Sequence, residues 1–176
     1  MKFLSRILLI AFTVLAFAGC KKEQYGSISI GMTDAPGDYL QINVEILKVD
    51  IHFANGKNGS AGWMGLSVNN GIYDLLTLKN NVSIMLASGT KMPVGNLNKI
   101  KLTLGIHNTA MLNDSSVVNL NVPPSLNSEI IVYLDTEINK DNTLTVTLDF
   151  DGDASFLVDK LTNIMQPVIK VKSTSH

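Results

Sequence analysis

Three aspartates at alternate positions, Asp149, Asp151 and Asp153, with Gly152 between the last two, form the densest group of candidate metal ligands in the chain. Calcium takes several carboxylate and carbonyl oxygens. The spacing departs from a calcium-binding EF-hand loop: counted from Asp149, glycine falls fourth instead of sixth, and Lys160 occupies the twelfth position where glutamate is needed. Alternating aspartates at the end of a strand also make a solvated edge that discourages edge-to-edge pairing. Calcium at Asp149, Asp151 and Asp153 therefore stays open, and no metal ligand or cofactor is assigned.

His52 and His107 are the only histidines before the C-terminal His176. A zinc site or a nucleophile–base pair would need them to meet further ligands, or a serine that the sequence does not single out. Asn58-Gly59-Ser60-Ala61-Gly62 lacks the first glycine of the hydrolase nucleophile elbow, and no phosphate-cradling glycine motif is present. No catalytic residue is assigned. Catalytic groups also converge from distant positions, so an envelope hydrolase or metal-dependent enzyme stays as the competing function.

Trp63, Tyr39 and Tyr73 offer aromatic surfaces for sugars. Large aromatics in a β-domain usually pack in its core with the polar end reaching a partner. Trp63 is the residue singled out as a candidate ligand contact.

The lone cysteine, Cys20, has a more specific context. Lys2 and Arg6 precede an apolar run from Ile7 to Ala18, small residues follow, and Lys21-Lys22 end the run. That is the pattern of a secretion signal, too short for the roughly 20 apolar residues of a bilayer span. Phe17-Ala18-Gly19-Cys20 resembles the lipobox of bacterial lipoproteins, with Phe17 where leucine is usual. The resemblance implies cleavage before Cys20 and acylation there, giving the two or more hydrophobic anchors that stable membrane attachment requires. Lys21 stands where enteric inner-membrane lipoproteins carry aspartate, which favours the outer membrane of a Gram-negative cell.

Removing residues 1–19 leaves 157 of the 176 residues, enough for one domain with its own core. Without Lys2 and Arg6, twelve basic residues face fifteen acidic ones, a net charge of about −3. Arg6 is the chain's only arginine. A mature domain without arginine and with an acidic excess is poorly equipped to bind phosphate, so nucleic acid is discarded as a partner. One cysteine cannot form an internal disulfide, so packing must hold the fold.

The elements that would position these residues read as short strands. Ser27–Met32 alternates Ile28, Ile30 and Met32 with small polar residues, and ends at the turn-forming Thr33–Asp38. Leu40–Phe53 changes phase midway: Ile42, Val44 and Ile46 share one parity, Leu47, Val49, Ile51 and Phe53 the other. An inserted residue near Ile46-Leu47, a β-bulge, would do this. Asn55–Gly62 is a hairpin loop leading to a strand at Trp63–Val68, and Asn69-Asn70-Gly71 is a tight turn. Tyr73–Leu78 and Val82–Ala87 lack a clean period and fit either a strand or a helical turn. Leu97–Ile106 places Ile100, Leu102, Leu104 and Ile106 inward, with Lys99, Lys101 and Thr103 outward. Val117–Val122, Glu129–Ile138, Thr143–Phe150 and Val168–Val171 complete the strands, and Asp153–Leu161 allows one or two helical turns.

Strands at this spacing without a long amphipathic helix predict an all-β, antiparallel β-sandwich of immunoglobulin or transthyretin type with at most one short helix. The expected organisation is a lipoprotein signal peptide at 1–19, a lipidated tether at 20–25, the β-sandwich at 26–172 and a tail at 173–176.

Several stretches in this order resemble the bacterial and archaeal family called domain of unknown function 4382. They are Thr33–Asp38, Gly62-Trp63 with Leu66, and Tyr73-Asp74-Leu75-Leu76 with Leu78. Met92-Pro93-Val94-Gly95 leading into Ile100-Lys101-Leu102 follows, then Leu148-Asp149-Phe150-Asp151 with Ser155, and Gln166-Pro167-Val168-Ile169. The family often has an aromatic at Leu97 and arginine at Lys101. The resemblance implies an extracytoplasmic lipoprotein domain of β-sandwich type and supplies no activity. The expectation is a non-enzymatic binding, adhesion or accessory module, membrane-attached through its lipid, with a glycan or protein ligand, facing the periplasm or the exterior.

Overall fold

The structure is a computed structural model and describes residues 23–35, 39–56, 61–78, 82–124, 127–157 and 163–176. Cys20 and the leader lie outside these residues. Two sheets face each other. The five-stranded sheet runs, in order, β14 (Val168–Ser175), β11 (Thr143–Asp151), β1 (Tyr25–Ala35), β6 (Ile84–Pro93) and β4 (Ser67–Val68). The seven-stranded sheet runs β10 (Glu129–Ile138), β7 (Gly95–Leu104), β2 (Gln41–Gly56), β8 (Thr109–Met111) and β9 (Val117–Asn119), with β3 (Gly62–Gly65) and β5 (Gly71–Asp74) also on β2. A two-stranded ribbon, β12 (Phe156–Leu157) with β13 (Ile164–Met165), forms a third sheet, with Met165 buried in the core. Leu75–Leu78 forms a 3-10 turn and Gly152–Ser155 one α-helical turn. This is the expected all-β sandwich.

Period-two alternation builds the core between the sheets. Ile28, Ile30 and Met32 of β1 and Leu144, Val146, Leu148 and Phe150 of β11 are buried from one side. Val44, Val49, Ile51 and Phe53 of β2 and Leu97, Ile100, Leu102 and Leu104 of β7 meet them from the other. Each large side chain so placed contributes about 1.5–3 kcal/mol of burial energy.

The phase change in β2 is a bulge. Ile46 pairs with Leu104 and Lys48 with Thr103, so Leu47 is the extra residue; it is exposed, while Val49 resumes the inward face. A second bulge lies in β7. Leu97 and Ile100 are both buried although three apart, because His52 pairs with Lys99 and Phe53 with Leu97, leaving Asn98 unmatched.

Four details depart from the expectations. The ladders are antiparallel except that between β1 and β11, which is parallel. The Asn139–Asn142 turn carries the chain from one sheet to the other and delivers β11 at the start of β1. There Asp141 donates its N–H to the Tyr25 carbonyl at 3.0 Å and Ser27 donates to Asn142 at 2.8 Å. Asp34, expected in a turn, is buried, because β1 continues to Ala35 against Asp149–Asp151 and the Thr33 hydroxyl donates to the Leu78 carbonyl at 2.9 Å. Ile106, expected inward, is 84% exposed: β7 ends at Leu104, and the chain then loops out around Glu45. Ser173–Ser175, expected as a tail, pair with Thr145–Thr147.

Candidate functional site

The outward face of the seven-stranded sheet gathers the polar and aromatic residues. Cross-strand register sets Trp63 of β3, His52 of β2, Lys99 of β7 and Tyr133 of β10 in one row across four strands. The next row holds Gly65, Asp50, Lys101 and Ile131. Inward neighbours at alternate positions hold these side chains out, since Ile51, Phe53, Ile100 and Val132 are buried.

Trp63 is 43% exposed, contrary to the general tendency of a tryptophan to fill a core. Its ring is held on two sides. The Lys101 ammonium lies over the indole 5.0 Å from the ring centroid, and the His52 ring meets it edge-on at 4.9 Å and 69°. Both are favourable placements against an aromatic quadrupole. Lys101 is fixed in turn by Glu129 at 3.1 Å and Asp50 at 3.7 Å. His52 Nδ1 lies 2.8 Å from the amide oxygen of Asn98. An amide oxygen only accepts, so Nδ1 is the donor, and in that tautomer Nε2 is the acceptor. The bulge at Asn98 is what aims that amide toward His52. At the far end of the row Tyr133 is 72% exposed, with the Lys99 ammonium 5.9 Å from its ring centroid.

This arrangement can stack an apolar ring face and hydrogen-bond hydroxyls, since it offers two held aromatics, imidazole, amide, ammonium and carboxylate groups. Of its residues, sequence reasoning singled out Trp63 as a ligand contact and His52 as a possible metal ligand or base, and placed Lys99 and Lys101 outward. Tyr133, Asn98, Asp50 and Glu129 were missed. The unequal spacing of Leu97 and Ile100 was the available signal for Asn98.

The structure does not bring the histidines together. Six residues of β2, one of them the bulged Leu47, lie between His52 and Glu45, the partner of His107, which at strand rise is about 20 Å. His107 donates its backbone N–H to Glu45 Oε2 at 3.0 Å, and its Nδ1 lies 2.9 Å from the same oxygen. That backbone hydrogen bond, with the ring's contribution, holds the Glu45 carboxyl below the usual glutamate range. The His107 side chain is 66% exposed. A surface notch of about 160 Å³ beside it is lined by Gly105, Ile106 and Asn108, and a concavity of about 410 Å³ by Tyr25, Lys91 and Asn142; neither histidine lines either one.

Asp149 faces the Lys172 ammonium at 3.8 Å, and Asp151 accepts the Ala154 N–H at 3.0 Å, so both carboxylates have partners within the protein. The Asp153 side chain lies outside the described part. Among the described residues no group of three His, Cys, Asp or Glu side chains is placed to hold a metal. Nor is any described helix long and apolar enough to cross a membrane. Tyr73 packs against the core and donates its hydroxyl to the Asn69 carbonyl, and Tyr39 also packs there.

The family model described as "Domain of unknown function (DUF4382)" matches residues 25–167. No curated protein matches the chain.

Proposed function

Because the chain belongs to the domain of unknown function 4382 family, whose name carries no activity, we propose a function from the site itself. The protein is a lipid-anchored, non-enzymatic binding module of the cell envelope, and the outward face around Trp63 takes a carbohydrate. The single observation that carries this is the indole of Trp63, open to solvent yet oriented by Lys101 and His52. An aromatic plane with little freedom left to lose stacks on the C–H face of a sugar ring at low entropic cost. The leader and the Phe17–Cys20 lipobox support attachment at Cys20 to the outer membrane.

Glycan-array binding of the detergent-solubilised full chain tests the reading, with Trp63→Ala as control. Retention of a glycan by the native chain and its loss in the variant, at an unchanged circular-dichroism spectrum, is the expected result. No retention, or equal retention by both, overturns it. Protease shaving of intact cells reports the orientation: cleavage places the domain on the exterior, and protection places it in the periplasm.

A further inference from the structure

Trp63 and Tyr133 stand at the two margins of the same row, on the outer strands β3 and β10, with His52 and Lys99 between them. Three strand spacings separate them, about 14 Å, the reach of roughly three sugar units and more than one ring can bridge. We propose that this face takes a neutral, linear oligosaccharide lying across the strands, stacked on Trp63 at one end and Tyr133 at the other. This rests on the carbohydrate reading above.

Charge on the face argues for a neutral ligand. Lys101 is neutralised by Asp50 and Glu129. Lys48 and Lys99 lie on the same outward parity as Lys101 along their strands, while Asp135 and Glu137 project exposed from β10 just beyond Tyr133. Three ammoniums thus sit among four carboxylates, with no field of one sign to recruit a polyanion. The centre of the row instead alternates donor and acceptor: His52 Nε2 accepts and the Lys99 ammonium donates, as successive hydroxyls of a neutral sugar chain require. Linearity follows from the row itself, one residue wide and four strands long.

The test is calorimetric titration of the full chain in detergent with neutral β-1,4-linked glucose, xylose and mannose oligomers of one to six units, and with oligogalacturonates of the same lengths. Affinity for at least one neutral series should climb until the chain spans both rings. It should fall about fivefold to tenfold in Tyr133→Ala as in Trp63→Ala. It should change less than about twofold between low and high salt. Tyr133 is largely exposed, so its truncation leaves the fold intact, which thermal melting verifies. Trp63-dependent binding that ignores Tyr133, or that saturates at a single unit, overturns the transverse placement while leaving the carbohydrate reading in place. Preference for the oligogalacturonates with steep salt dependence overturns the neutral ligand alone. Failure of every oligomer overturns this proposal, while the glycan array decides the carbohydrate reading separately.

Discussion

The Lys101 ammonium sits over the indole of Trp63, 5.0 Å from the ring centroid, while it pairs with Glu129 at 3.1 Å, so an ion pair and a ring share one cation. Lys101→Met keeps the alkyl stem and removes the charge. Asp50 and Glu129 then lose the cation between them, and the indole loses its clamp. Cation–π contacts at partly exposed sites contribute about 0.5–1 kcal/mol, so the fold should survive with a loss of about 1 kcal/mol. As Trp63 is the chain's only tryptophan, its fluorescence reports the change: the variant should be quenched more readily by acrylamide. Lys101→Arg should restore the native quenching, and unchanged quenching in Lys101→Met would dismiss the clamp.

Gly26 sits where β1 begins against the turn that starts β11. A Cβ there would stand 2.2 Å from the Asn139 carbonyl oxygen and 3.0 Å from that of Asn142, both backbone atoms that cannot swing aside. Gly26→Ala should therefore cost about 3 kcal/mol and lower Tm by roughly 10 °C. Gly71→Ala, with nothing within 4 Å of its Cβ, is the comparison and should melt as the native chain does. Equal melting of the two variants would mean that the Asn139–Asn142 turn yields.

Much of this architecture was legible because burial on one face leaves a period-two imprint. Ile28, Ile30 and Met32, and Leu144 through Phe150, read directly as core. The bulge at Leu47 announced itself as a switch of parity. What escaped depended on non-local partners. Asp34 is strand rather than turn because β11 lies alongside it, and Ile106 faces solvent because Gly105 must pass tightly by Glu45. Ser173–Ser175 are ordered by Thr145–Thr147, since small polar residues pair in an edge strand without any hydrophobic signal. The candidate site was the least legible part. Trp63 and Tyr133 are 70 residues apart, and their shared row follows from the cross-strand register of β3, β2, β7 and β10, which no local pattern encodes.

Glu45 gives the loop after β7 a pH dependence with a definite sign. The His107 backbone N–H, foremost, and the His107 ring lower the carboxyl's folded value beneath its ordinary 4.5. A depressed carboxylate adds stability above its unfolded pKa and loses it as pH falls through the folded one. Melting followed downward from pH 7 should hold level until about pH 4.5 and then decline. Glu45→Gln should start lower and lose less below that point. The same acid slope in both would show that other carboxylates carry it.

The proposed lipid attachment rests on one sulfur, that of Cys20. If Cys20 is acylated, cells fed an alkyne-tagged palmitate should label the native chain and leave Cys20→Ala unlabelled, because the diacylglyceryl thioether forms on that thiol and signal cleavage in this pathway depends on it. The variant should keep its leader, migrate more slowly, and be extractable from membranes by carbonate if the apolar run is not a stable span. That run, Ile7–Ala18, is twelve residues, short of the roughly 20 that hold a helix across a bilayer. Two acyl chains hold a protein where one does not, so partial release of the native chain by a lipase that removes the ester-linked chains is the complementary result. Labelling that persists in Cys20→Ala would place the lipid elsewhere and remove the basis for anchoring at this residue.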